Sequence, residues 1–394
     1  MNFNWKNNGK LKLCIGLGTR PEIIRLAAVI KRAREYFDTC VIYYNQNWDR
    51  NLSTVFWEDF SLYNANGEIG PDILVPVVGD NLGSTTGNII AESYRLLLKL
   101  SPEAYLVLGD TNSCLSAYSA KRLHIPLFHM EAGNRCKDEC LPEETNRRIV
   151  DIISDVNLPY SEAARRYLIE CGCPKERTYV TGSPMAEVLS MNIDKIENSR
   201  ILDRLGLQKG KYILLSAHRE ENIDLSENFY QLFTAINSLA EKYDMPVLYS
   251  CHPRSRKKLE ETRFKLDDRV RVSEPLGFND YNNLQMNALC IVSDSGTLPE
   301  ESSFYLSIGK PIAAVSIRTS TERPEALEAG DFVIAGITTE ELLRSCDMAI
   351  EMLNNGITGK PCSDYTDTDV SMKVIRIIQS YTEIINRMVW RKKQ

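Results

Sequence analysis

The chain has 394 residues, more than one ordinary core of roughly 100–200 residues holds, so two domains are expected. Its 47 lysines and arginines stand against 53 aspartates and glutamates, and the formal charge of −6 is spread without a long basic run, so no nucleic-acid partner is expected. The opening MNFNWKNNGKLKLCIGLG lacks an apolar signal core, and no stretch approaches the ~18 apolar residues of a membrane span, so a soluble cytoplasmic protein with no membrane partner is expected.

Short apolar runs bounded by turn residues alternate with longer segments of helical period. They begin with LKLCIGLG at 11–18, PEIIRLAAVIKRAREYF at 21–37 and TCVIYYN at 39–45, and continue with AYLVLGD at 104–110, SAYSAKRL at 116–123 and IPLFHM at 125–130. Runs apolar on both faces, such as Leu106–Leu108, suit parallel strands buried between helix layers. After a less regular stretch from Gly182 to Gly210 the pattern restarts with KYILLSAH, PVLYSC, DRVRVSE, LCIVSD and PIAAVSI, which implies a second sheet. Between the first two of these, Phe229, Leu232, Phe233, Ile236 and Leu239 form one helical stripe and read as core packing. Val370, Val374, Ile377, Ile378, Ile384, Ile385 and Met388 mark a long C-terminal helix, packed on the second domain or crossing back to the first.

The expected fold class is therefore α/β, with two Rossmann-like doubly wound parallel-sheet domains and an interdomain cleft. The domains are drawn at 1–183 and 184–366, followed by the helical segment 367–394. GTRPE at 18–22 and GTLPE at 296–300 each follow an apolar strand and read as helix starts. Thr19 and Thr297 are the expected N-caps, Pro21 and Pro299 sit early in the helix, and Glu22 and Glu300 close capping boxes. Cys14, Cys251 and Cys290 fall in or beside strands and read as reduced thiols; Cys136, Cys140, Cys171 and Cys173 are wrongly spaced for zinc, so no metal is expected.

In an open parallel sheet the ligand lies beyond the carboxyl ends of the strands. The residues there are Gly18–Arg20, Gln46, Gly109–Asn112, Glu131–Arg135, Ala217–Arg219, His252–Arg254 and Ser293–Thr297. A glycine turn opening a helix is an anion site, and Arg20 adds a fork suited to phosphate, while Ser295, Gly296 and Thr297 leave a helix mouth open to a diphosphate. In GLGTRP, Pro21 occupies the place of the third glycine of a dinucleotide fingerprint, and no GxxxxGK[ST] occurs, so no cofactor is expected. Asp110, Glu131 and Glu143 read as converging carboxylates, with the first two desolvated and raised in pKa by burial and neighbouring negative charge, and His218 facing them from the second domain. Solvated loop carboxylates and a core histidine are the alternatives.

The motifs GTRPE, GDTNS at 109–113, HMEAGNR at 129–135, PEETNR at 142–147, AHREEN at 217–222, SDSGTLPEE at 293–301 and TERPEA at 321–326 resemble, together and in order, the non-hydrolysing UDP-N-acetylglucosamine 2-epimerase family. The resemblance runs over nearly the whole chain. It implies a GT-B-like fold, a homodimer, and an isomerase that inverts carbon 2 of a UDP-linked 2-acetamido sugar by anti elimination of UDP and re-addition. It puts Asp110, Glu131 and Glu143 in proton transfer at C2 and C1–O cleavage, Arg20 and His218 on the diphosphate, and Ser295, Gly296, Thr297, Glu301 and Arg323 on UDP. Arg25, Arg147, His252, Arg254, Leu276 and Tyr281 complete the substrate-binding set. A GT-B glycosyltransferase and a catalytically silent sugar-nucleotide binder are the rival classes, and the hydrolysing branch of the epimerases shares many of the motifs.

The chain departs from common members of that family. Arg25 stands in place of lysine, YNQN at 44–47 in place of Gly-Gln-His, PVVGDNLG at 76–83 in place of a Pro-Gly-Gln loop, and Thr297 in place of the second glycine of SGG. With GDTNSCLSAYSAKRL, FHMEAGNRC and LQMNALC, these variants resemble the capsule and lipopolysaccharide O-antigen branch that makes UDP-N-acetyl-L-fucosamine. The expected substrate is then UDP-2-acetamido-2,6-dideoxy-L-talose, with UDP-N-acetyl-D-glucosamine/mannosamine and UDP-L-rhamnosamine/L-quinovosamine as alternatives.

Overall fold

A computed structural model describes residues 3–45, 51–135, 142–251, 253–318 and 321–392. The chain forms two compact units: Met1–Val188 with Asp367–Gln394, and Leu189–Thr366. The first holds a six-stranded sheet of β1 (Lys12–Leu17), β2 (Asp38–Asn45), β3 (Ile73–Pro76), β4 (Ala104–Leu108), β5 (Leu127–Met130) and β6 (Val156–Leu158). Every pairing is parallel, in the order β3-β2-β1-β4-β5-β6. Parallel strands need helices on both faces. Accordingly Leu13, Cys14, Ile15 and Leu17 of β1 are all fully buried.

The second unit repeats the plan with β7 (Ile213–Ser216), β8 (Val247–Ser250), β9 (Val270–Ser273), β10 (Cys290–Ser293), β11 (Ala314–Ile317) and β12 (Val333–Ala335). Its order, β12-β11-β10-β7-β8-β9, is again fully parallel. The fold class is thus the α/β, Rossmann-like, GT-B-like one expected. In each sheet the first and fourth strands are neighbours, and the strand order reverses between them, which is where such sheets hold ligands. Those positions lie beyond β1 and β4 in one unit and beyond β7 and β10 in the other.

The irregular stretch after Gly182 contains two helices, Met185–Glu197 and Ile201–Leu205. The predicted stripe Phe229, Leu232, Phe233, Ile236 and Leu239 is fully buried in the core of the second unit. The C-terminal helix runs Val370–Met388 and packs on the first helix, Arg20–Tyr36. Val370, Val374, Ile378 and Ile385 form its buried stripe, whereas Met388, its last residue, is 77% exposed. Among the described residues no helix is long and apolar enough to cross a membrane.

One polar clamp fastens this C-terminal helix. The buried Glu187 carboxylate accepts the Ser371 N–H at 2.7 Å and the Ser371 hydroxyl at 2.5 Å, closing the helix's first turn. Glu187→Ala leaves a buried N–H and hydroxyl without their acceptor, and should cost about 1–3 kcal/mol in urea unfolding of the first unit. An unchanged unfolding midpoint would show that the clamp contributes nothing.

Candidate active site

At the carboxyl end of β5 the chain turns at Glu131, whose φ of +61° places a non-glycine residue in the left-handed region. Such a backbone costs about 1–3 kcal/mol and persists only where its surroundings hold it. Here they do. Arg25, on the first helix, donates Nη1 to Glu131 Oε2, and Asn134 Nδ2 donates to Oε1 at 3.3 Å. The neighbouring strand end must also make room. Gly109, with φ +73°, follows β4, and a Cβ there would lie 3.3 Å from Glu131 Oε2. Glycine therefore serves both the turn and the carboxylate beside it.

Asp110 follows directly. Its Oδ2 accepts from Arg147 Nη2, its own carbonyl accepts Asn146 Nδ2 at 2.9 Å, and Asn146 also donates to Asn112 Oδ1 at 3.1 Å. Asn146 and Arg147 sit on the inward face of the helix Pro142–Ile153, and the buried Arg147 donates a further bond to the Asn134 carbonyl at 3.1 Å. Behind them Asp151 lies 3.0 Å from His129 Nδ1 and 2.8 Å from Arg135 Nη1. Burial works against the Asp151 carboxylate, but His129 and Arg135 outweigh it and hold its pKa below the usual range. His129 Nε2 in turn meets the Gly109 carbonyl at 2.8 Å, so the buried ring braces the peptide that precedes Asp110.

Asp110 and Glu131 thus each meet a guanidinium group, that of Arg147 and that of Arg25. Glu143 does not join them. It stands exposed in the first turn of Pro142–Ile153, and takes no part in the hydrogen bonds of this cluster among the described residues, because the helix turns Asn146 and Arg147 inward instead.

In the second unit the residues beyond β7 and β10 meet at Asp294. This fully buried carboxylate accepts the N–H groups of His218 and Arg219, both at 2.9 Å, and Asn222 Nδ2 at 3.1 Å, while its other oxygen is 3.0 Å from His218 Nδ1. Burial opposes ionisation of Asp294, but His218 and the two N–H groups overcome it and lower its pKa. The His218 ring remains 46% exposed, so Asp294 orients it without enclosing it. The turn Ser295-Gly296-Thr297 opens the helix Leu298–Ser307, and a Cβ at Gly296 would lie 3.7 Å from Arg219 Nη2 and 3.9 Å from Arg318 Nη1. A helix mouth flanked by two guanidinium groups suits an anion.

The expected capping boxes are absent in both units. Thr297 makes no side-chain cap and instead donates Oγ1 to Glu301 Oε1 at 2.9 Å, with Ser295 Oγ 2.9 Å from the same hydroxyl. Glu301 is buried, and its Oε2 accepts Gln285 Nε2 at 2.7 Å. Glu300 is taken by Arg323, whose Nε and Nη2 donate to its Oε1 at 2.9 and 2.7 Å in a buried pair. Tyr281 lies on the helix Phe278–Asn287, and burial, with Glu301 beside it, pushes its hydroxyl pKa up. Leu276 is half-buried in the loop after β9, and Arg20 is half-buried as the first residue of the first helix. His252, Gln46, Cys136 and Cys140 lie outside the described residues, as does the side chain of Arg254. Sequence reasoning missed the bracing pair Asp151–His129, the orienting role of Asp294 and the place of Arg318; Asp294 carried a signal in directly following its strand, and His129 in opening the motif HMEAGNR.

A family model described as UDP-N-acetylglucosamine 2-epimerase matches residues 30–379. A UDP-N-acetylglucosamine 2-epimerase of Methanocaldococcus jannaschii is 31% identical over 354 residues, 88% of this chain and 94% of the relative. The solved UDP-N-acetylglucosamine 2-epimerase from Rickettsia bellii is similar at 41% identity and a TM-score of 0.87, over 97% of this chain and 100% of that one. The Methanocaldococcus jannaschii enzyme in complex with UDP-GlcNAc and UDP is similar at 29% identity and a TM-score of 0.84, over 94% and 100%. The chain belongs to the UDP-N-acetylglucosamine 2-epimerase family and is an isomerase.

Proposed function

We propose that this enzyme inverts C2 of a UDP-linked 2-acetamido sugar without hydrolysing it, and that Asp110 and Glu131 carry the protons. The observation that supports this most is Glu131 itself: a buried carboxylate in a strained backbone, fixed by Arg25, one strand away from Asp110. Strain of this kind clusters at functional positions. The C2 hydrogen of an acetamido sugar has no adjacent carbonyl, so direct deprotonation is hard. Elimination avoids the difficulty. One carboxylate takes the C2 proton, the electron pair forms the C1–C2 double bond, and the C1–O bond breaks to release UDP. Re-addition returns the UDP oxygen to C1 while a proton is delivered to the opposite face of C2.

In this reading the turn Ser295-Gly296-Thr297, with Arg219 and Arg318 beside it, receives the diphosphate, and His218 and Arg20 add hydrogen-bond donors to the departing UDP. Glu301 holds the nucleoside side, prepositioned by Thr297 and Gln285. The solved relative bound to UDP-GlcNAc and UDP supports a UDP-sugar as ligand. A glycosyltransferase would need one base and an acceptor groove and gives no reason for two anchored carboxylates. Asp110→Asn and Glu131→Gln should each lower turnover by about 10²–10⁴-fold, with UDP affinity near that of the unaltered enzyme and the protein still folded at the assay temperature. Near-normal turnover in either amide variant would remove that carboxylate from the mechanism.

For the sugar, we propose UDP-2-acetamido-2,6-dideoxy-L-talose, converted to UDP-N-acetyl-L-fucosamine in the cytoplasm for surface polysaccharide, by an enzyme acting as a homodimer. Support comes from the variant positions in the first unit, above all Arg25, which touches Glu131. The names of the relatives favour UDP-N-acetyl-D-glucosamine instead. The 6-deoxy sugar carries a methyl where the D-gluco compound has a hydroxymethyl, and a site discriminates strongly only where a polar group is left unpaired. Specificity constants measured side by side on the L-talo, L-rhamno and D-gluco UDP-sugars should be highest for the first. A best value with the D-gluco compound would overturn the substrate while leaving the reaction in place.

A further inference from the structure

Glu22 has an environment that helix capping does not explain. It is 2% exposed, and its Oε2 accepts the Gly18 N–H at 3.0 Å, the Thr19 hydroxyl at 2.7 Å and the Thr111 hydroxyl at 3.1 Å. Its Oε1 accepts the Ser113 hydroxyl at 2.7 Å, and the Thr111 and Ser113 hydroxyls lie 2.8 Å from each other. All four donors are neutral. Burial pushes the Glu22 pKa up, and the bonds from Ser113, Thr19, Gly18 and Thr111 offset that only in part. A buried acid without a cation is costly. Starting a helix requires at most the two local bonds, to Gly18 and Thr19. The other two cross to the turn after β4, 89 and 91 residues away in sequence.

That turn is the one that carries Asp110, immediately before Thr111. On the same helix Arg25 stands three residues after Glu22, hence on a neighbouring face position, and Arg25 holds Glu131. The first helix therefore grips the Asp110 turn with one side chain and the Glu131 carboxylate with the next. We infer that Glu22 is a positioning residue that sets the Asp110 turn against Glu131 for the two proton transfers. The inference rests on the proposed roles of Asp110 and Glu131. Glu22 does not touch the sugar; it acts by locating what does, and misplacement of a reacting group by about 1 Å is enough to cost ~10²-fold in rate.

Three variants test this beside the unaltered enzyme and Asp110→Asn, with turnover of a UDP-2-acetamido sugar, KM, UDP affinity and thermal melting measured on each. Glu22→Ala should lose about 10²-fold in kcat, with KM and UDP affinity little changed and the protein still folded at the assay temperature. Glu22→Gln should recover most of that loss, because its amide oxygen still accepts from Gly18, Thr19 and Thr111 while its NH₂ donates to Ser113. The paired change Thr111→Val with Ser113→Ala severs the tie from the other side and should lower kcat in the same selective way, which keeps the test decisive if Glu22→Ala does not fold. Folded Glu22→Ala, or the folded paired variant, turning over at the normal rate would overturn the inference, as would activity losses that merely follow the fraction unfolded. Failure of the underlying reading is seen separately, as an unaltered enzyme without epimerisation or an Asp110→Asn enzyme with full activity.

Discussion

Taking the Glu131 carboxylate out of water, on a left-handed backbone, costs free energy on two counts, and much of the first unit around it is arranged to meet that cost. Arg25 supplies the opposite charge, Asn134 a second donor, and Gly109 the space. Each of these is fixed by something further back. Arg25 belongs to a helix covered on its outer side by the C-terminal helix. Gly109 is braced through His129 by Asp151, and Asn134 accepts Arg147, which reaches on to Asp110. Asp110 and Glu131 are thereby held by one connected set of bonds, which would leave little rearrangement to the proton transfers proposed for them.

The second unit has the same strand order with different side chains at its switch point. There the buried carboxylate at the switch point, Asp294, takes no proposed part in proton transfer and instead gathers the backbone of His218 and Arg219 and directs the exposed imidazole. Arg219 and Arg318 stand beside the helix mouth at Gly296, joined by the Glu322 carboxylate, which lies 3.6 Å from Arg219 Nη2 and 2.9 Å from Arg318 Nη2. In the proposed reaction an anionic leaving group meets donors there, in contrast to the acid–base groups proposed in the first unit. One topology would thus serve two chemistries, decided by which side chains follow the strands.

Much of this was legible in the sequence, because central strands of parallel sheets are apolar on both faces and end in recognisable turns. β1, β4 and β5 of one sheet, and β7, β8, β9, β10 and β11 of the other, lie within the runs drawn from residues alone, and β2 exceeds its run only by Asp38. The edge strands β3, β6 and β12 escaped, and Asn157 interrupts the apolar run of one of them. Asp110 and Glu131 were found by their places at strand ends. Their arginine partners could not be inferred as such, because Arg25 and Arg147 are 106 and 37 residues distant and only the folded sheet brings them near. Glu22 and Glu300 show the limit of local reading: a capping motif describes bonds within one turn, whereas these two acids are claimed by Ser113 and Arg323 from elsewhere in their units.

The central claim is that a proton leaves C2 and that a different one returns. Incubating the enzyme with its UDP-2-acetamido sugar in heavy water, then reading C2 of the recovered epimer by NMR, tests this directly. Elimination and re-addition through Asp110 and Glu131 predict deuterium at C2 of the epimer formed, with the UDP linkage intact. Epimer that has turned over yet retains protium at C2 would contradict the account.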